Sequence, residues 1–137
     1  MKNLVKLFSI LQLTKEQPLT GYLTAGVKLH ETATLAEHHY TATLMAYFLT
    51  QQIKKVGGQI DADKVMKMLL IHDLSELFGG DTAAPMNRKY PELKIHKDKI
   101  GEKAMELLGG YLDDDSQSEF KKLFHEFEYG EGDEIVV

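Results

Sequence analysis

The 137-residue chain contains no cysteine. Disulfide frameworks and thiolate metal sites are excluded, so any bound metal must be held by His, Asp or Glu. That donor set suits Mn, Co, Mg, Fe, Ni or Zn and does not choose among them. Basic tracts are absent too, and the formal net charge is -5. This excludes the electrostatic footprint of a nucleic-acid polymer as partner. No apolar run approaches the roughly 20 residues that span a bilayer, and residues 1–13 lack a cleavable signal pattern. The expectation is a cytoplasmic protein with no membrane partner. Glycine-rich phosphate loops and the Gly-x-Ser-x-Gly elbow are also missing, which removes two common routes to phosphate and acyl chemistry.

What is present is ordinary globular material, 43% hydrophobic and 27% charged, enough for one domain with a core over residues 1–137. No segment alternates in the manner of a strand, so the expected fold is an all-α bundle of about five to six helices. Residues 3–13 place Leu4, Leu7, Phe8 and Leu11 on one face. Residues 14–33 carry Pro18, Gly21 and Gly26 and read as a loop. Over residues 34–56 a stripe of Leu35, His38, Ala42, Met45, Leu49, Ile53 and Val56 predicts a long helix, stopped by Gly57-Gly58. Asp61 or Asp63 caps the next, which is expected to run unbroken to Phe78 and stop at Gly79-Gly80. Residues 79–90 read as a loop. Pro91 begins a helix through about Leu108, with Leu93, Ile100, Ala104 and Leu107 inward. Asp115 or Ser116 caps a last helix carrying Phe120, Leu123, Phe124 and Phe127.

His72-Asp73 stands inside the apolar run Met68–Leu77. Burying an ionised aspartate costs several kcal/mol without a partner, and a divalent cation is one such partner. Neighbouring helical positions differ by about 100°, so both side chains can converge on one cation. His38, on its own apolar stripe, could complete the site; alone it would read as a core histidine. Glu76 follows His72 by four residues, on the same side of the helix, where it could act on a metal-bound water. Asp81 stands in the glycine-rich loop beyond, where turn chemistry is the competing explanation. His39 points about a quarter turn from His38 and reads as structural or as the edge of a pocket. His30, His96 and His125 lack convergent neighbours. Asp113-Asp114-Asp115 lacks the spacing of a calcium-binding hand and reads as an acidic helix start.

The pair Ala36-Glu37-His38-His39-Tyr40 and Ile71-His72-Asp73-Leu74-Ser75-Glu76, followed by Gly80-Asp81 and Pro85, resembles the HD-domain phosphohydrolases. Within them it is most similar to the small 5′-deoxynucleotidases. The resemblance implies that His38, His72 and Asp73 are metal ligands, that Glu76 positions or activates the nucleophilic water, and that Asp81 serves around the leaving group and substrate. It implies a metal-activated water attacking phosphorus in a nucleoside 5′-monophosphate, a small phosphorylated substrate as partner, and a homodimer.

Two departures from that pattern stand in the sequence. The subgroup's arginine and tryptophan before the first histidine are here Leu19 and Tyr22; Tyr22 can still stack on a base or sugar, and Arg88 could supply the missing cation. The family's fourth ligand is an aspartate on a further helix, expected beyond Val137, and Asp133 comes too early to be its counterpart. The alternatives carried forward are an HD hydrolase of another phosphorylated substrate, such as a nucleoside triphosphate, and a non-catalytic helical dimerisation or regulatory module.

Overall fold

A computed structural model describes residues 2–80 and 84–130. Among them the chain is all-α, with a single isolated antiparallel bridge between Pro18 and Thr34. Helix α1 (Lys2–Leu11) runs into a 3₁₀ turn at Gln12–Lys15. The stretch expected to be a plain loop holds a short α2 (Thr20–Thr24) and a 3₁₀ turn at Leu29–Glu31. Its ends are clipped together, with the Leu19 amide donating to the Ala33 carbonyl (3.0 Å) and the Leu35 amide to the Gln17 carbonyl (2.8 Å). This clip holds the segment so that Gly21 and Tyr22 of α2 share a cavity with His38 of the next helix.

Helix α3 (Leu35–Lys55) opens on a full capping box. The Glu37 amide donates to Thr34 Oγ1 at 3.3 Å, and the Thr34 amide donates to Glu37 Oε2 at 2.7 Å. Two orphan donors at the helix start are thereby satisfied. Helix α4 (Ala62–Ile71) is capped by Asp61, which accepts from the Lys64 amide at 3.1 Å, and lies alongside α3. Short α5 (Glu76–Gly79) packs on α7 (Leu93–Gly109). Between them α6 (Ala84–Lys89) occupies part of the expected 79–90 loop. Helix α8 (Asp114–Tyr129) is capped two residues before the expected Asp115, by Asp113 accepting from the Ser116 amide at 2.9 Å. It packs against α4 and α7. Leu7, Leu74, Met105, Leu108 and Phe124 form the central core. Among the described residues no helix is long and apolar enough to cross a membrane.

The inward faces differ from the expected stripes in an instructive way. In α3 the buried residues are Leu35, His39, Ala46 and Thr50, while Met45 and Leu49 are exposed and Val56, just past the helix end, is 85% exposed. The expected stripe stepped by an average of 3.5 residues and so winds by about 60° around a real 3.6-residue helix over its length. In α7 the buried side is Gly101, Ala104, Met105 and Leu108, with Ile100 and Leu107 about half exposed. In α1, Leu7 is buried but Leu4 and Phe8 are exposed.

Candidate metal centre

The expected unbroken helix from Asp61 or Asp63 to Phe78 is interrupted at His72–Ser75. Here the backbone tightens from α to 3₁₀-type bonding: the Leu74 amide donates to the Ile71 carbonyl at 3.1 Å and the Glu76 amide to the Asp73 carbonyl at 2.9 Å. The cause is a side chain competing with the ladder. His72 Nδ1 lies 2.9 Å from the Leu69 carbonyl, the acceptor that a continuing α-helix would offer to the Asp73 amide. A carbonyl can only accept, so Nδ1 carries the proton and, in neutral imidazole, Nε2 presents a lone pair.

That lone pair faces two other donor atoms. His72 Nε2 is 3.2 Å from His38 Nε2 and 2.9 Å from Asp73 Oδ2, and His38 Nε2 is 3.4 Å from the same carboxylate oxygen. Three ligand atoms about 2.1 Å from a common cation would lie roughly 3.0 to 3.4 Å apart, between octahedral and tetrahedral angles. The triangle matches those edges. A proton on His72 Nε2 points at one neighbour at a time, whereas a cation at the centre serves all three. The donor set of two imidazoles and one carboxylate therefore fits a divalent metal. Among the described residues this is the cluster whose ligand atoms converge closely enough to hold one.

The electrostatics agree with the packing. Burial penalises the imidazolium of His72, but its hydrogen bond and attraction to Asp73 outweigh that penalty and hold its pKa above the ordinary value. Burial raises Asp73, and the His72 contact more than reverses it, leaving the carboxyl below its usual range. His39 is the contrast. It is 5% exposed, its ring centroid lies 4.9 Å from that of His72, and its Nε2 is buried without a hydrogen-bond partner among the described residues. Burial first and His72 second push its pKa down to about 4, so it is neutral at ordinary pH. It lines an apolar cavity of about 410 Å³ whose lining includes none of His38, His72 and Asp73.

A second cavity, of about 370 Å³, opens at His38 and Asp73. His38, Asp73 and Glu76 form its floor; Leu19, Gly21, Tyr22 and Ala25, brought over by the clipped segment, form its wall. The structure thus brings together His38, His72, Asp73, Glu76 and Tyr22. It does not bring Arg88 in: that residue is exposed on α6 and is not among the lining residues. Asp81 and Asp133 lie outside the described residues. His30 and His96 are exposed, and the His125 ring stacks on Tyr129 with centroids 5.4 Å apart. The sequence reading missed the Leu69 carbonyl, for which side-chain identity gives no signal. It also missed Phe127 as a neighbour of the site, whose ring centroid lies 4.9 Å from that of His72.

The chain is 29% identical over 128 residues to 5′-deoxynucleotidase HDDC2 of Danio rerio, covering 93% of this chain and 58% of that protein. It is 30% identical over 128 residues to 5′-deoxynucleotidase HDDC2 of Xenopus laevis, again with 93% and 58% covered. The chain thus spans a little under three-fifths of these curated relatives. A solved structure, a conserved hypothetical protein from Pyrococcus furiosus, superposes with a TM-score of 0.75 at 26% identity, covering 96% of this chain and 73% of that one. The family profile described as HD domain matches residues 12–137, nearly the whole chain, and the chain belongs to the HD domain family.

Proposed function

We propose that the chain is a divalent-cation-dependent phosphohydrolase that releases phosphate from a (deoxy)nucleoside 5′-monophosphate. The observation that carries this reading is the triangle of His38 Nε2, His72 Nε2 and Asp73 Oδ2, with edges of 2.9 to 3.4 Å, at the foot of an open cavity. When bound there, a divalent cation supplies Lewis acidity toward a phosphoryl oxygen and lowers the pKa of a water. The protein's own part is positional. His38, His72 and Asp73 hold the cation, and the Leu69 carbonyl fixes the His72 tautomer so that Nε2 faces it. Glu76, on the cavity floor, takes the proton of the attacking water as its oxygen bonds to phosphorus and the ester oxygen leaves. In the same proposal Asp81 serves the leaving group, and Tyr22, 53% exposed at the cavity wall, stacks on the sugar or base. The printed names of the relatives, 5′-deoxynucleotidases, support the substrate class.

The proposal extends to a cytoplasmic setting and to a homodimer. The exposed apolar residues of α3, among them Tyr40, Leu44 and Phe48, support the pairing of two chains. Phosphate release from a panel of 5′-monophosphates, with Mn²⁺, Co²⁺ or Mg²⁺ against EDTA, tests the activity. Cation-dependent release that is lost in Glu76→Ala is expected. EDTA-insensitive release, or none with any cation, would remove the proposal.

A further inference from the structure

Helix α8 is remote from the donor cluster in sequence, yet one of its rings reaches it. Phe127 is half-buried, and its ring centroid lies 4.9 Å from that of His72 at an interplanar angle of 56°. His39, from α3, meets the same imidazole at 4.9 Å and 52°. Both fall in the range of tilted aromatic pairs. Phe127 is in turn held by its neighbours on α8. Phe124, roughly one turn earlier, is 4% exposed and belongs to the central core. Glu126, the preceding residue, meets Lys64 of α4 at 2.6 Å. The Tyr129 hydroxyl donates to Glu102 Oε1 of α7 at 3.2 Å.

An imidazole needs such contacts to serve as a ligand of fixed direction. The torsion that turns a histidine ring about its Cβ–Cγ bond has broad, roughly two-fold wells. The contact from Nδ1 to the Leu69 carbonyl, at 2.9 Å, chooses between the wells, because a flipped ring would turn a C–H toward that oxygen. It leaves the tilt within the chosen well loosely defined, since one hydrogen bond tolerates a wide range of angles. Tilt displaces Nε2, whose separations of 3.2 Å from His38 Nε2 and 2.9 Å from Asp73 Oδ2 make the triangle fit a cation. We propose that Phe127 is a positioning residue for the cation site: by packing on the His72 imidazole it narrows that tilt, and so sets the affinity and geometry that the three donors offer. This rests on the proposed cation site and names a residue outside the donor set that controls it. Hydrogen-bonding partners orient ligating histidines in many metal sites; here a ring from a remote helix does so by packing.

Two measurements test this. The first needs no metal. Long-range ¹H–¹⁵N NMR of the EDTA-treated protein at mildly alkaline pH is expected to show one His72 tautomer, protonated at Nδ1, with an NOE between the His72 and Phe127 rings. Absence of that NOE in wild type would overturn the proposal. The second is Co²⁺ titration followed by visible absorption, on wild type, Phe127→Tyr, Phe127→Leu and Phe120→Leu, the last removing a ring of the same helix that packs on the core cluster. Phe127→Leu is expected to bind Co²⁺ about tenfold more weakly, with altered visible bands. Phe127→Tyr and Phe120→Leu are expected to match wild type in both respects, although Phe120→Leu unfolds at lower urea. Phe127→Met, which keeps bulk without a ring, takes the place of Phe127→Leu if that variant does not fold. Wild-type affinity and bands in the ringless variant would overturn the proposal. An equal loss in Phe120→Leu would also overturn it, because the effect would then be general loosening of the core, as would an equal loss in Phe127→Tyr. If the ring contact is present but wild type binds no Co²⁺, the functional proposal falls and the cation role of Phe127 falls with it. If wild type binds Co²⁺ and the ringless variant binds it equally, this proposal alone falls.

Discussion

Replacing His39 by leucine should make the metal-free protein less sensitive to acid. His39 is buried with its ring against His72 and an unpartnered Nε2, and burial followed by the His72 charge depresses its pKa from 6.5 to about 4. The unfolded chain therefore takes up this proton first as pH falls. The stability that neutral His39 contributes is complete above about pH 6.5 and is lost as pH falls toward its folded pKa. With values of 6.5 and about 4, linkage gives a loss of about 1 kcal/mol between pH 7 and about 5.5, and about 2 kcal/mol by about 4.5. His72 works with the opposite sign: its raised pKa gives stability that is present below the ordinary histidine value and fades as pH rises through the folded one. Urea unfolding of wild type and His39→Leu in EDTA, at three pH values across this window, separates His39 from the other groups by difference. Wild type should lose about 2 kcal/mol more than the variant on acidification. Parallel pH curves would refute the reasoning, and would mean that His39 is solvated or partnered in solution.

Further outcomes follow from contacts away from the cluster. A Cβ on Gly79 would meet Ile100 Cγ2 at 2.6 Å, so Gly79→Ala should destabilise by about 1–3 kcal/mol in denaturant unfolding, and Ile100→Ala should recover most of that loss. Lys64 Nζ sits 2.6 Å from Glu126 Oε2, with side chains 28% and 13% exposed, and so ties α4 to α8. Lys64→Met should cost about 1–2 kcal/mol, and a double-mutant cycle with Glu126→Gln should show positive coupling. Thr34→Ala removes one half of the capping box and should lower the thermal midpoint by an amount equivalent to about 1 kcal/mol.

Much of the architecture was readable from glycine stops and polar caps. Asp61 and the Gly57-Gly58 pair bound the elements where expected, because capping and left-handed termini depend on residues close in sequence. The cluster of His38, His72 and Asp73 was readable for a different reason: a charged pair in an apolar run demands a partner, and only a few residue types can provide one. What escaped reading depended on the backbone and on distant packing. The break at His72–Ser75 arises when an imidazole takes the Leu69 carbonyl from the helix ladder, which composition does not reveal. The inward faces of α3 and α7 were displaced because a 3.5-residue stripe fits apolar letters as well as a 3.6-residue one does. The neutral, buried state of His39 follows from the neighbours that fold against it, and adjacency to His38 in sequence does not distinguish it from a ligand.

The proposed function depends on one divalent cation held by His38, His72 and Asp73. The most direct measurement is titration calorimetry of the EDTA-treated, dialysed protein with Mn²⁺ and Co²⁺, alongside His72→Ala and Asp73→Ala variants shown by circular dichroism to remain helical. One equivalent of cation bound by wild type, with affinity reduced at least tenfold in each folded variant, is the predicted result. Equal binding by wild type and both folded variants, or no binding by any of them, would contradict the claim.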